Sequence, residues 1–205
     1  EEEKRNSPGF WNTAEGELAE ALSKIYVKGY FSRYKNSFDG KLEDGKIQNI
    51  QTEKEFLVEI DGVKFAGKLD LLYMDEDGLP VIKEFKTASM SALKLGSIYI
   101  KTLPMSIQTT IYRAAVQRMY SPDNPNDIIP QVIYDIIGKT SKKPSQKRPY
   151  LKRSDYESDE DHQAAKTLNV ESATEYIERI TPDFIIDDSA YHREYINITR
   201  EDQAR

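Results

Sequence analysis

Residues 46–87 contain three strand-like runs separated by two tight turns, and this segment constrains the fold more than any other. The first turn is Asp61-Gly62, a dipeptide typical of a two-residue β-hairpin loop. A loop of that length places Ile60 opposite Val63, so that apolar residues face one another across the hairpin. The segment therefore begins with an antiparallel hairpin whose register the turn specifies.

The second turn lies within the acidic sequence DEDG and decides which side chains meet on the next two strands. If Gly78 supplies the left-handed position of a three-residue loop, Leu72 faces Ile82. In the same register Asp70 falls directly opposite Glu84. The segment therefore predicts a three-stranded antiparallel meander with two carboxylates facing each other across its second and third strands.

These opposed carboxylates, together with Lys86, predict a site for chemistry on phosphates. Lys86 shares a face with Glu84 because side chains alternate along a strand. Directly opposed like charges destabilise a sheet, so the acids need a raised pKa, a cationic side chain or a bound divalent cation. Oxygen ligands suit Mg²⁺ or Mn²⁺. With Asp70 and Glu84 holding such an ion and Lys86 beside them, the strands predict a phosphodiester-hydrolysing centre.

The remaining segments predict helices and further strands around the meander. A helix over 104–120 would carry an apolar side, Ile107, Ile111, Ala115 and Met119. The other expected elements are a helix over 13–31 capped by Thr13, a buried strand over 131–138, a helix around 159–180 and a strand within 191–199. We therefore expect an α/β fold, with a mixed central sheet of the meander plus a further strand, flanked by helices. Residues 1–205 would form a single domain.

The chain has no cysteine, which excludes disulfides, thiolate zinc sites and iron–sulfur clusters. A chain without cysteine fits a reducing compartment, so we expect a cytoplasmic protein. No apolar run approaches the ~18 residues of a membrane helix, and the acidic, polar N-terminal sequence is unlike a signal peptide. We therefore expect no membrane association.

Positive charge is concentrated in one loop, although the chain carries a net charge of −6. Residues 139–153 contain seven basic residues and no acid: Lys139, Lys142, Lys143, Lys147, Arg148, Lys152 and Arg153. Such a basic loop can follow a polyanion while the acidic remainder keeps the protein soluble. A solvated surface loop is the alternative interpretation.

Three motifs in order resemble a known family: GKLD at 67–70, EFK at 84–86, and Gln108 followed four residues later by Tyr112. Together they resemble the PD-(D/E)xK nuclease superfamily. Within it they are most similar to the RecB-like exonuclease branch, which includes many phage and prophage recombination nucleases. The resemblance covers roughly residues 13–140 and implies a restriction-endonuclease-like core, with 155–205 as a C-terminal addition. Leu69 stands where the motif has its proline.

The resemblance implies a role for each matched position. Asp70 and Glu84 would bind Mg²⁺ or Mn²⁺, with the carbonyl of Phe85 as a further ligand and no iron–sulfur cluster. Gln108 and Tyr112 would shape the site or contact the substrate strand. The implied catalytic residues are Asp70, Glu84, Lys86, Gln108 and Tyr112.

The family also places an acid or histidine of the first helix near the metal. Glu20 is the position we align with it, and Glu15 and Glu17 are alternatives. Phosphate contacts would come from lysines of the basic loop and of the segment that follows the third strand. These candidates are Lys139, Lys142, Lys143, Lys94 and Lys101.

The resulting prediction is a Mg²⁺-dependent DNA exonuclease acting on linear ends, in phage or prophage recombination or DNA processing. An endonuclease with the same core and a catalytically silent nucleic-acid-binding module are the alternatives. The motifs leave open strand polarity and the preference for single or double strands. They also leave open whether the protein forms a homo-oligomer or binds a recombination partner.

Overall fold

A computed structural model of the chain describes Gly9 and residues 13–34, 47–94, 96–147, 151–186 and 188–196. The chain divides into two compact units. The helical unit combines Glu1–Ser32 with Ser141–Asp188, and the sheet unit combines Arg33–Thr140 with Ser189–Arg205. This division into compact units does not decide whether residues 1–205 form one domain. The single domain therefore stays a prediction.

The sheet unit contains a five-stranded mixed sheet in which neighbours in sequence are also neighbours in space. Strands β3 and β4 run parallel, and the other neighbouring strands run antiparallel. The strands are β1 (Gln48–Ile60), β2 (Val63–Met74), β3 (Pro80–Ser89), β4 (Gln131–Lys139) and β5 (Tyr191–Ile196). The predicted α/β fold, with a meander, a further strand and a restriction-endonuclease-like core, is confirmed. Residues 197–199 of the predicted last strand lie outside the described residues.

Both predicted turns form, and both use the left-handed backbone that their residues allow. Asp61 and Gly62 have φ values of 51° and 79°, as a two-residue hairpin loop requires. Gly78 has a φ of 74° in the second turn. Leu72 pairs with Ile82, so the register predicted from the turn is confirmed.

Two helices follow β3 in the sheet unit: α2 (Ile98–Thr102) and α3 (Ile107–Tyr120). The prediction that α3 starts at residue 104 is wrong. The preceding residues Leu103–Met105 form a 3₁₀ turn, and the Ser106 hydroxyl caps α3 by accepting a hydrogen bond from the Thr109 amide at 3.1 Å. Because this cap satisfies an amide of the first turn, the helix begins after Ser106.

The predicted apolar side of α3 is only partly buried. Ala115 is 1% exposed and Ile111 is half-buried, but Ile107 is 76% and Met119 37% exposed. The fully buried neighbour is Val116, which packs into the main core of the sheet unit. The buried face is therefore rotated relative to the predicted one, and Ile107 lies at the surface.

The helical unit contains α4 (Asp159–Leu168), α5 (Ala173–Ile185) and most of α1 (Ala14–Tyr34). The part of α1 that belongs to this unit ends at Ser32. The predicted cap of α1 is confirmed, because the Gly16 amide donates to the Thr13 hydroxyl at 3.1 Å. No helix within the described ranges is long and apolar enough to cross a membrane.

The single helix predicted around 159–180 is wrong, because the chain forms α4 and α5 separately. Ser172 and Glu175 form a capping box at the start of α5, each side chain accepting from the other residue's backbone amide. A capping box satisfies amides that a continuous helix would bond internally, so it starts a new helix.

Candidate active site

The acid pair, Asp70 and Glu84, lies where β2 and β3 separate. The ladder between these strands runs from Met74–Pro80 to Leu71–Lys83. At the next position in that register, the two carboxylates accept the hydrogen bonds from backbone amides of the opposite strand. The Asp70 amide donates to Glu84 Oε1 at 3.2 Å, and the Phe85 amide donates to Asp70 Oδ2 at 2.8 Å. Each acid is therefore oriented by the backbone of the opposite strand.

Glu84 is a buried carboxylate with incomplete compensation of its charge. Its residue is 1% exposed, and the nearest cation in contact, Lys86 Nζ, lies 3.5 Å from Oε2. Burial raises the pKa of Glu84 to about 7, and the charge of Asp70 adds to the increase, while the Asp70 amide and Lys86 lower it in part. The site therefore disfavours a second negative charge unless a cation arrives.

Helix α3 brings the Gln108–Tyr112 pair to the acid pair. Gln108 Nε2 lies 3.4 Å from Glu84 Oε2 and donates to the Tyr112 hydroxyl at 2.9 Å. The Tyr112 ring packs edge-on against Phe56 with centroids 5.5 Å apart, and burial raises the pKa of its hydroxyl. Spacing of four residues places both side chains on one helical face. The structure thus brings together all five residues expected to be catalytic.

Known protein families include one whose model matches this chain. A family model of the PD-(D/E)XK nuclease superfamily matches residues 7–190, which is most of the chain. The chain belongs to the PD-(D/E)XK nuclease superfamily. A search of curated proteins finds no match. Membership indicates nuclease activity on a nucleic-acid substrate and, as in the superfamily generally, use of a divalent metal.

The donor set of this PD-(D/E)XK chain fits a hard divalent cation. Asp70 and Glu84 supply two carboxylates, and the Phe85 carbonyl is the third predicted oxygen. Among the described residues, no group of three or more His, Cys, Asp or Glu side chains is placed to hold a metal. Mg²⁺ is commonly bound by one or two carboxylates and keeps several waters, so an acid pair lacking a full compensating charge suits it. The identity of the metal and the ligand roles stay predictions.

Glu20, the predicted ligand from the first helix, belongs to the helical unit. Its side chain is 52% exposed and pairs with Lys24 Nζ at 2.6 Å. The alternatives Glu15 and Glu17 are also exposed. A helix-surface pair of this kind is weak and leaves the carboxylate available, so the role of Glu20 stays a prediction.

The five predicted phosphate-contacting lysines are exposed and are divided between the two units. Lys94, Lys101 and Lys139 belong to the sheet unit, and Lys142 and Lys143 to the helical unit. Lys142 Nζ pairs with an Asp183 oxygen at 2.6 Å, an ion pair that would compete with the predicted phosphate contact. Their roles stay predictions.

Part of the predicted basic loop is fastened to its neighbours by contacts that sequence reasoning missed. Lys147 pairs with Glu175 at 2.8 Å, and Arg179 pairs with Glu171 at 2.7 Å while also donating to the Lys143 carbonyl. Residues 148–150 of the loop lie outside the described residues. The described part of the loop is therefore held by acids that neutralise some of its charge.

Sequence reasoning also missed a buried ionic cluster on the other face of β3, formed by Lys83, Asp135 and Arg193. Asp135 is 0% exposed and accepts from Lys83 Nζ at 2.8 Å and from Arg193 Nε at 2.5 Å. The guanidinium also lies 3.9 Å from the Tyr34 ring centroid. The available signal was a second charged residue, Lys83, beside Glu84 in VIKEF, and one acid, Asp135, in the mostly apolar strand QVIYDII. We call these three residues the ionic cluster.

A cavity of about 230 Å³ opens on the same face as the ionic cluster. Its lining includes Lys83 and Arg193, two tyrosines, Tyr73 and Tyr195, and acids of the second turn, but neither Asp70 nor Glu84. Burial raises the pKa of Tyr73 to about 12. The cavity is thus separate from the acid pair.

Proposed function

We propose that this chain is a Mg²⁺- or Mn²⁺-dependent deoxyribonuclease, and specifically an exonuclease of the RecB-like kind. The observation that carries the proposal is the group Asp70, Glu84 and Lys86 at the separating strands, with Gln108 in contact with Glu84. The spacing of Gln108 and Tyr112 on the helix that follows supports the RecB-like branch. That resemblance also supports a role in phage or prophage recombination. A chain without cysteine fits a cytoplasmic setting.

The chain's own residues prepare the site for phosphodiester hydrolysis. Glu84 and Asp70 would hold the metal, with the Phe85 carbonyl beside them. When bound, the metal would supply a water of lowered pKa and a positive charge against the phosphate. Gln108 and the Asp70 amide hold the Glu84 carboxylate in one orientation. Lys86 lies beside that carboxylate and would stabilise negative charge that develops on the phosphate oxygens.

The same features argue against a catalytically silent binding module. A module that only bound nucleic acid would gain nothing from two opposed carboxylates, since they repel phosphate. It would also gain nothing from a buried glutamate whose pKa is raised, because burying that group destabilises the fold once it is ionised. Both features are useful where a divalent cation binds.

The test compares end-labelled linear DNA with closed circular DNA of the same sequence, in Mg²⁺, Mn²⁺ or EDTA. Wild type is assayed beside Glu84→Gln and Lys86→Ala. The matched controls Glu59→Gln and Lys64→Ala change exposed charges on β1 and β2 of the same sheet. We expect metal-dependent shortening of linear DNA only, lost in both site variants and kept in both controls.

Two other outcomes replace the proposal. Cutting of the closed circle with the same dependence on Glu84 and Lys86 would identify an endonuclease. Binding of DNA without cleavage under every metal condition would identify a binding module.

A further inference from the structure

The segment that follows the acid pair contains no acid over an unusual length. After Glu84 the next Asp or Glu is Asp123, although the chain as a whole has 35 acids among 205 residues and a net charge of −6. The same segment carries four cations that reach solvent, Lys86, Lys94, Lys101 and Arg118, and one buried cation, Arg113. This local charge is complementary to a polyanion and opposite in sign to the rest of the protein.

Three large apolar side chains of that segment face solvent: Ile98 is 77% exposed, Met105 75% and Ile107 76%. We call them the apolar rim. Their neighbours Tyr99 and Leu103 pack against the core of the sheet unit, so the backbone is anchored while the rim points outward. Clusters of exposed apolar side chains rimmed by polar residues mark binding surfaces, whereas single exposed apolar residues are common on any protein.

One residue of the apolar rim, Ile107, directly precedes a residue that contacts the acid pair. Ile107 is the first residue of α3, and the next residue, Gln108, reaches Glu84 at 3.4 Å. The backbone there is held by buried hydrogen bonds, because the Thr109 hydroxyl donates to the Leu103 carbonyl at 2.9 Å and lies 2.7 Å from the Tyr134 hydroxyl. The backbone that carries Met105 and Ile107 is thus fixed directly before Gln108, which contacts Glu84.

We propose that the apolar rim holds unpaired bases of the DNA strand being cut, while Lys94 and Lys101 contact its phosphates. This inference rests on the proposed function and names the preferred substrate as single-stranded DNA or the frayed end of a duplex. Bases of an intact duplex are stacked inside it, whereas unpaired bases offer apolar surfaces that side chains can cover. The occupant is nucleic acid rather than protein because the rim lies within the acid-free cationic segment, which runs in sequence from Lys86 past Gln108.

Binding is measured by fluorescence anisotropy in EDTA, where cleavage does not interfere, with a labelled 20-nucleotide strand and the blunt duplex of the same sequence. The variants are Met105→Ser, Ile107→Ser and the double variant. Leu57→Ser is the matched control, because Leu57 is 75% exposed on β1 of the same unit. We expect wild type to bind the single strand at least about tenfold more tightly than the duplex, and the double variant to lose about tenfold on the single strand only.

A second readout tests the base contact itself. A 2-aminopurine near the end of the strand changes its fluorescence when its stacking changes. We expect wild type and Leu57→Ser to give the same signal change and the double variant to give a smaller one. Lys101→Gln should weaken single-strand and duplex binding alike and reduce the salt dependence by about one ion, since it removes a phosphate contact.

Unchanged single-strand affinity in the double variant would overturn the inference, as would a wild-type preference for the blunt duplex. If that unchanged affinity accompanies a shift from dimer to monomer in sedimentation, the rim is an interface between copies of the chain. The proposed function fails separately: it fails if wild type cleaves no DNA with any metal, whatever the rim variants do to binding.

Discussion

Two carboxylates are buried on neighbouring strands of one sheet, and their surroundings differ. Asp135, on β4, is bound by Lys83 at 2.8 Å and Arg193 at 2.5 Å. Glu84, on β3, faces another acid, and within the described parts of the chain its cationic partner is Lys86 at 3.5 Å. Lys83 and Glu84 are adjacent in sequence, so the two arrangements lie on opposite faces of the same strand.

The two carboxylates differ in how their charge is compensated: cations of the protein neutralise Asp135, whereas the charge of Glu84 is only partly compensated. A buried acid with two cations in hydrogen-bonding contact is satisfied within the protein. A buried acid opposite another acid is not satisfied in this way. Burial, and then the charge of Asp70, raise the pKa of Glu84 to about 7. We interpret the ionic cluster as structural and the acid pair as the metal site, and the following changes test that difference.

The largest expected effect is on catalysis. Glu84→Gln removes the charge that a metal needs while keeping the shape of the side chain, so kcat/KM on linear DNA should fall by at least about a thousandfold. Thermal unfolding at pH 8 should show no loss of stability, because the variant also removes a buried charge that is poorly compensated. An unchanged rate would contradict the assignment of Glu84, and Glu59→Gln serves as the control.

The next largest effect is on stability. Asp135→Asn leaves Lys83 and Arg193 buried without their carboxylate, which should lower the free energy of unfolding by about 3–5 kcal/mol. Urea unfolding in EDTA measures this, with the exposed Glu76→Gln of the second turn as control. A loss below about 1 kcal/mol would mean that the ionic cluster is not the structural counterpart of the acid pair.

A smaller effect concerns pH. Folded Glu84 binds its proton more tightly than the unfolded chain does, with a pKa of about 7 instead of 4.5. Between these values the folded state holds more protons, so stability falls as pH rises, by about 2 kcal/mol between pH 5 and 8 without divalent ions. Urea unfolding of Glu84→Gln at both pH values should lack this part of the pH dependence. Equal slopes for the two proteins would show that Glu84 does not titrate in this range.

The smallest expected effect is on kcat, through the hydrogen bonds that link Tyr112 and Gln108 to Glu84. Tyr112→Phe removes the acceptor for Gln108 at 2.9 Å, so we expect a three- to tenfold lower kcat through a less ordered Gln108, about 1 kcal/mol of barrier. Steady-state kinetics should show little change in KM, and thermal unfolding little change in stability. The exposed Thr110→Ala on the same helix is the control, and a variant with wild-type kcat would limit the tyrosine to packing against Phe56.

The elements that sequence reasoning predicted correctly depend on contacts between residues close in the chain. Gly78 and Asp61-Gly62 specify turns, and each turn sets the pairing of the strands beside it. Positions that depended on packing were predicted less well. Ile107 was placed on an apolar side of α3 and is 76% exposed, because the burial of a helix face depends on the sheet it packs against. The capping box of Ser172 and Glu175 is an exception, because it is formed by residues close in sequence and still does not enter the predicted helix around 159–180.

By itself, the sequence determined that Asp70 and Glu84 share a register, because strand alternation and turn geometry act over a few residues. Only the tertiary structure decided how each buried charge is compensated. Arg193 reaches Asp135 across 58 positions of the chain, and α3 brings Gln108 to Glu84 across 24. Burial and ion pairing depend on which distant segments meet in three dimensions, so the same kind of residue became a structural anchor on one face of the sheet and a candidate metal ligand on the other.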